Sequence, residues 1–148
     1  MKLSTKGRYG LRAVVDLAIL SGAENAAVSL NTVANRQQIS VGYLEQLIAR
    51  LKKAGIVEST RGAQGGYTLA RPAAEISVGE VLRALEGDLK LVECVDMKEE
   101  ELPCGPASKQ CVTRVVWQKI NDSINAAIDH LMLSDLVEEG VRMQENEA

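Results

Sequence analysis

At Gly55 the hydrophobic period of the chain changes, and that change constrains the fold more than any other feature of the sequence. Before it, in QQISVGYLEQLIARLKKAG, Leu44, Leu47, Ile48 and Leu51 recur at helical spacing. Ser40 is a good N-cap for this helix and Gly55 a good stop. After Gly55, IVEST and YTLAR alternate apolar and polar residues, as strands do. RGAQGG lies between them, and its glycines permit an extended turn with Arg61 at the tip. Upstream, Leu11, Val14, Val15, Ala18 and Ile19 predict an amphipathic helix over about residues 5–21, ended by Ser21 and Gly22. A shorter helix follows Ser29, with Leu30, Val33 and Ala34 inward. Three helices and a hairpin, in that order, make a winged helix-turn-helix.

Arg71-Pro72 closes this unit, so residues 1–72 are expected to form one domain and residues 73–148 a second region. Ser77 and Glu80 read as a capping box for a short helix carrying Val81, Leu82, Ala84 and Leu85, which Gly87 stops. After a loop, Val116, Ile120, Ile124, Ala127 and Leu131 form one apolar seam on a long helix, fit for a partner helix. A last helical piece begins at Ser134, and the tail QENEA is expected to fray. The expected fold class is mainly α with a small β-hairpin wing and a long C-terminal dimerisation helix.

Charge divides the chain as the elements do. Residues 1–71 hold 10 Lys and Arg against 4 Asp and Glu, while residues 72–148 hold 7 against 16. The front half, at +6, suits a polyanion, and the back half, at −9, does not. Phe is absent and only Trp117, Tyr9, Tyr43 and Tyr67 are aromatic, which argues against a base-stacking single-strand binder. On the third helix, Ser40, Tyr43, Gln46 and Arg50 share the side away from the aliphatic face. Gln46 can pair with adenine, Ser40 and Tyr43 with a base or a phosphate, and Arg50, Lys52 and Lys53 with phosphates. Glu45 repels phosphate but accepts from cytosine, so it filters sequence. Arg61 suits the negative potential of a minor groove. Lys2, Lys6, Arg8 and Arg12 line the start of the first helix, where phosphate contacts are expected of Lys6 and Arg8 among others. The third helix alone is indistinguishable from a solvated one; with the wing it reads as a DNA-binding element.

No run approaches a membrane span of about 18 apolar residues, and the basic start MKLSTKGRYG lacks the apolar core of a signal peptide. A cytoplasmic protein is expected. With one histidine, His130, and no nucleophile–base, HExxH or phosphate-loop motif, catalysis is not expected. Cys94, Cys104 and Cys111, spaced C-x9-C-x6-C, are the only cysteines and stand together in an acidic loop with Pro and Gly. An odd number of thiols in a reducing compartment points away from structural disulfides. Zinc prefers close C-x2-4-C pairs, which this loop lacks. A metal site of another kind, a thiol switch and inert cysteines remain open on the residues alone.

KLSTKGRYGLRAVVDLA, SVGYLEQLIARLKKAGIVESTRGAQGGYTLAR and ISVGEVLRALEG together resemble the Rrf2 family of bacterial regulators, over Met1 to about Val137. The YLEQL helix and the RG-x-x-GGY wing are the specific motifs. The resemblance implies a homodimeric repressor that binds double-stranded DNA at an imperfect palindrome and pairs through its long C-terminal helix. In the iron–sulfur group of that family, three cysteines before this helix hold a [2Fe–2S] cluster, and their positions match Cys94, Cys104 and Cys111, though the spacing here is wider. A histidine ligand of that group is replaced here by Arg114. The resemblance therefore leaves the fourth donor among Glu93, Asp96, Glu99 to Glu101, Arg114, a partner residue and an exogenous thiolate or water. Other members, regulators of cysteine metabolism, lack these cysteines, so a cluster-free thiol-responsive repressor is the alternative.

Overall fold

The computed structural model describes residues 2–147. The elements follow the order α1 (Thr5–Ser21), α2 (Leu30–Gln37), α3 (Val41–Lys53), β1 (Val57–Thr60), β2 (Gly66–Leu69), α4 (Val78–Glu86), α5 (Val112–His130) and α6 (Leu133–Glu147). Serines open four of the helices. Ser4, Ser29, Ser40 and Ser77 accept a backbone N–H from Lys6, Thr32, Tyr43 and Glu80 in turn. Glu80 returns a carboxylate to the Ser77 amide, completing the capping box. At the end of α3, the Gly55 and Ile56 amides bond the carbonyls of Lys52 and Leu51, with Gly55 at φ 76°. This 5→2 and 6→1 pairing turns the chain out of the helix and into β1.

β1 and β2 pair antiparallel, with Val57 opposite Leu69 and Thr60 opposite Gly66. Val28, in the α1–α2 connection, bridges Tyr67 through bonds of 2.9 and 2.8 Å and ties the wing to the helices. One core joins the two regions expected from the sequence. Leu44, Leu47, Ile48 and Leu51 of α3 share it with Val14, Leu17, Val33 and Val57, and also with Ile76, Val81, Leu85 and Leu133. Each such leucine or isoleucine, buried from water, stabilises the fold by about 1.5–3 kcal/mol.

Two helical glycines allow α1 to lie close on α4. A Cβ at Gly10 would run into the Leu85 side chain, and one at Gly7 would stand 2.7 Å from Glu86 Oε1. The α5–α6 junction is pinned to the start of α4, with Val78 N–H donating to Leu131 C=O and Leu133 N–H to Ile76 C=O. The tail, expected to fray, is drawn as helix. α6 carries QENE as helix to Glu147, continuous with the turns that pack on α1; residue 148 lies outside the described residues. Among the described residues no helix is long and apolar enough to cross a membrane.

Candidate functional site

The first part of the site is carried by α1, α3 and the hairpin, which pack on one another. On α3, Glu45, Gln46 and Arg50 are exposed, opposite the buried leucines. Ser40 caps the helix. Tyr43 sits on the shoulder, half-buried: its ring meets Tyr9 edge-on at 6.3 Å and its hydroxyl lies 3.0 Å from Thr5 Oγ1. It therefore joins α3 to α1 as well as facing outward. Arg61 is exposed at the hairpin tip, where the Gly65 amide closes the turn on Gly62 C=O. Lys6 and Arg8 are exposed on the first turns of α1, and Arg8 lies over the Tyr9 ring at 5.8 Å. Arg12 is also exposed, but its guanidinium is tied to the end of α2. It donates to the Gln37 side chain at 3.2 Å and its carbonyl at 3.0 Å.

The α1 N-terminus, expected to invite a phosphate, already holds an anion of the chain's own. Glu86 accepts from the Ser4 amide (2.8 Å), the Ser4 hydroxyl (2.6 Å) and the Gly7 amide (2.9 Å). Burial pushes the Glu86 carboxyl up, but these hydrogen bonds and the nearby Lys6 charge outweigh it and hold the group below the usual carboxylate range. A second anchor joins α1 to α2. Asp16, 3% exposed, takes a bidentate guanidinium from Arg36 of α2 at 3.0–3.1 Å. Neither contact has a local sequence signal, since the partners stand 20 to 82 residues apart.

The second part is the loop before α5. Cys94, Cys104 and Cys111 are free thiols; Cys104 is exposed and the others half-exposed. All three line one cleft of about 20 Å³ with Leu102, Pro103 and Arg114. A space of that size holds about one water. Among the described residues, no three His, Cys, Asp or Glu side chains converge on a point that a metal ion would occupy. Thiols are the donors an iron–sulfur cluster takes, but in this conformation the three do not converge as its ligands would. Cys111 stands at the N-cap of α5. Its thiol is drawn below its usual range, first by the Thr113 hydroxyl at 3.2 Å and then by the Arg114 amide.

Arg114 is not a free donor for the fourth position. Its guanidinium donates to the carbonyls of Cys94 (3.2 Å) and Met97 (2.5 Å), and holds the loop against α5. The same side of α5 continues the attachment. Gln118 bonds the Asp96 backbone and side chain, buried Asn121 takes the Leu91 amide at 3.0 Å, and Asn125 reaches Leu89 C=O at 3.4 Å. Asn125 and Asp129 in turn receive Arg83 of α4 at 2.6–3.0 Å. Of the other carboxylates considered, Asp96 is engaged with Gln118, while Glu93 and Glu99 to Glu101 are exposed to solvent. His130 lies at the far end of α5, with Nδ1 2.6 Å from Ala126 C=O.

The other side of α5 is apolar and uncovered. Val116, Ile120 and Leu131 of the predicted seam are exposed by 39–46%, and Val112 and Val115 extend it towards the cysteines. Ile124 is half-buried and Ala127 exposed.

The three capped helices and the hairpin make a winged helix-turn-helix, an architecture that DNA-binding transcription regulators use. A family model described as Rrf2, iron-dependent transcriptional regulator, matches residues 3–139. The protein Rrf2 of Nitratidesulfovibrio vulgaris strain Hildenborough is 44% identical over 137 residues, which span 93% of this chain and 87% of that one. CymR, the global cysteine regulator of B. subtilis, has a structure with TM-score 0.75 at 37% identity, over 94% of this chain and 98% of that one. T. potens IscR gives 0.71 at 44%, over 95% and 88%. The chain belongs to the Rrf2 family.

Proposed function

We propose that two copies of this chain pair through the apolar side of α5 and repress transcription by gripping an imperfect palindromic operator. Residues 1–72 carry the DNA contacts and residues 73–148 the pairing and the signal. Each α3 enters a major groove, where Gln46, Glu45 and Ser40 meet base edges and Tyr43 and Arg50 meet the flanking backbone. Arg61 reaches the adjoining minor groove, and Lys6 and Arg8 meet phosphates.

Cys94, Cys104 and Cys111 hold a [2Fe–2S] cluster in this reading, and its loss or retention sets operator affinity. When bound, such a cluster supplies a redox-active, labile group. The rest is done by the chain's own side chains. Arg114, Gln118, Asn121 and Asn125 fasten the thiol loop to α5, and Arg83 fastens α5 to α4, whose Glu86 caps α1. A change in the loop thereby has a continuous route to the dimer helix and the DNA-facing end. Regulation requires that the loop's state favour one DNA affinity over another. The observation that carries this reading is the single cleft lined by all three thiols at the start of the pairing helix.

A second reading is favoured by the lowered Cys111 thiol and the exposure of Cys104: a cluster-free repressor switched by thiol oxidation. Anaerobic reconstitution with iron and sulfide separates the two. The first predicts iron and acid-labile sulfide in equal amounts and a visible absorption that Cys104→Ala abolishes without dissociating the dimer. A colourless, iron-free protein whose DNA affinity follows thiol oxidation supports the second.

A further inference from the structure

Gly42 is the one glycine for which the folded chain supplies no reason. Of the twelve glycines, six hold a positive φ, and five more would place a Cβ less than 3 Å from another atom. Gly42 has helical backbone in the first turn of α3, and nothing lies within 4 Å of where its Cβ would stand. Glycine loses more backbone freedom in a helix than any other residue, so at this position it works against the fold.

Its place in α3 points outside the molecule. Gly42, Gln46 and Lys53 follow one another at helical spacing on the exposed side, opposite Leu44, Leu47, Ile48 and Leu51. The N-terminal turns of a recognition helix are the part that approaches base edges most closely. We infer that Gly42 sets how deeply α3 seats: the wall of the major groove occupies the space a side chain would fill, and the gap lets Gln46, one turn on, reach a base. The missing side chain is thus a specificity feature of the DNA interface, and helix stability is given up for close approach. This rests on the reading of α3 as the recognition helix.

The test uses full-length chain and a duplex that the wild-type protein enriches from a random-sequence pool, with Gly42→Ala, Gly42→Val and Gln46→Ala compared. Gly42→Ala is expected to keep its melting temperature or raise it by up to about 2–4 °C. Its affinity for the enriched duplex should fall about tenfold, the ordinary effect of one overpacked methyl, and Gly42→Val should fall further. Two results overturn the inference: affinity of Gly42→Ala within about twofold of wild type, or a melting temperature that falls, which would reveal an internal need for the glycine. If Gln46→Ala alone relaxes base preference, only the Gly42 inference fails. If neither position matters, the reading of α3 fails with it.

Discussion

Glu86 is the residue through which α4 reaches the start of α1. Its carboxylate satisfies two amides and a hydroxyl that a free helix start would leave to solvent or to a phosphate. Glu86→Ala is expected to cost about 1–2 kcal/mol, as for the loss of a helix cap, measured by urea unfolding. The folded carboxyl lies below its ordinary range, so its stabilisation is fully present above that range and is lost as the pH falls through the lowered value. The wild-type protein should therefore lose stability on acidification more steeply than Glu86→Gln, and parallel curves would contradict the role. No local signal in the sequence marks this residue. It reads as the last turn of a short amphipathic helix, and its partners lie 79 to 82 residues away.

At the scale of elements, the parts legible in the sequence are those whose cause is local. Serine caps at Ser29, Ser40 and Ser77, stops at Gly22, Gly55 and Gly87, and the change of period after Gly55 all lie within a few residues of what they determine. What escapes a sequence reading is non-local: the Asp16–Arg36 pair, Arg12 on the end of α2, and the polar side of α5 that laces the thiol loop. Arg114 shows the difference. From position alone it stands where a ligand would, but its geometry makes it a fastener of the Cys94 and Met97 carbonyls. The polar composition of residues 144–147 predicts fraying, whereas α6 is anchored earlier, by buried Leu133 and by Val137 packed on the core, and its helix runs on through them. The wing is the element whose role can be isolated. Arg61 is exposed at a turn closed by backbone, so Arg61→Ala should leave the melting temperature unchanged. It should weaken binding, most for operators with a narrow minor groove, and reduce the salt slope of the affinity by about 1. An unchanged slope would remove the wing from the interface.

The whole molecule is two surfaces joined by one core. The basic half of the sequence carries α3 and the hairpin, the acidic half carries the thiols and the apolar side of α5, and Ile76, Val81, Leu85 and Leu133 pack with Leu44, Leu47, Ile48 and Leu51 in one core. An exposed row of Val112, Val115, Val116 and Ile120 on one helix is costly in water unless it is covered. Ile120→Glu is expected to shift the protein from dimer to monomer in sedimentation and to lower operator affinity with it; a dimer that persists would place the pairing surface elsewhere.

If the thiol loop governs DNA binding, operator affinity must differ between two states of that loop. The same operator duplex is titrated anaerobically, by fluorescence anisotropy, with iron–sulfur-reconstituted dimer and with dimer stripped by chelator. The two affinities are expected to differ by about fivefold or more, with the difference abolished when Cys94, Cys104 and Cys111 are replaced by Ala. Equal affinities for the two preparations, with iron and sulfide verified in one and absent from the other, would contradict it.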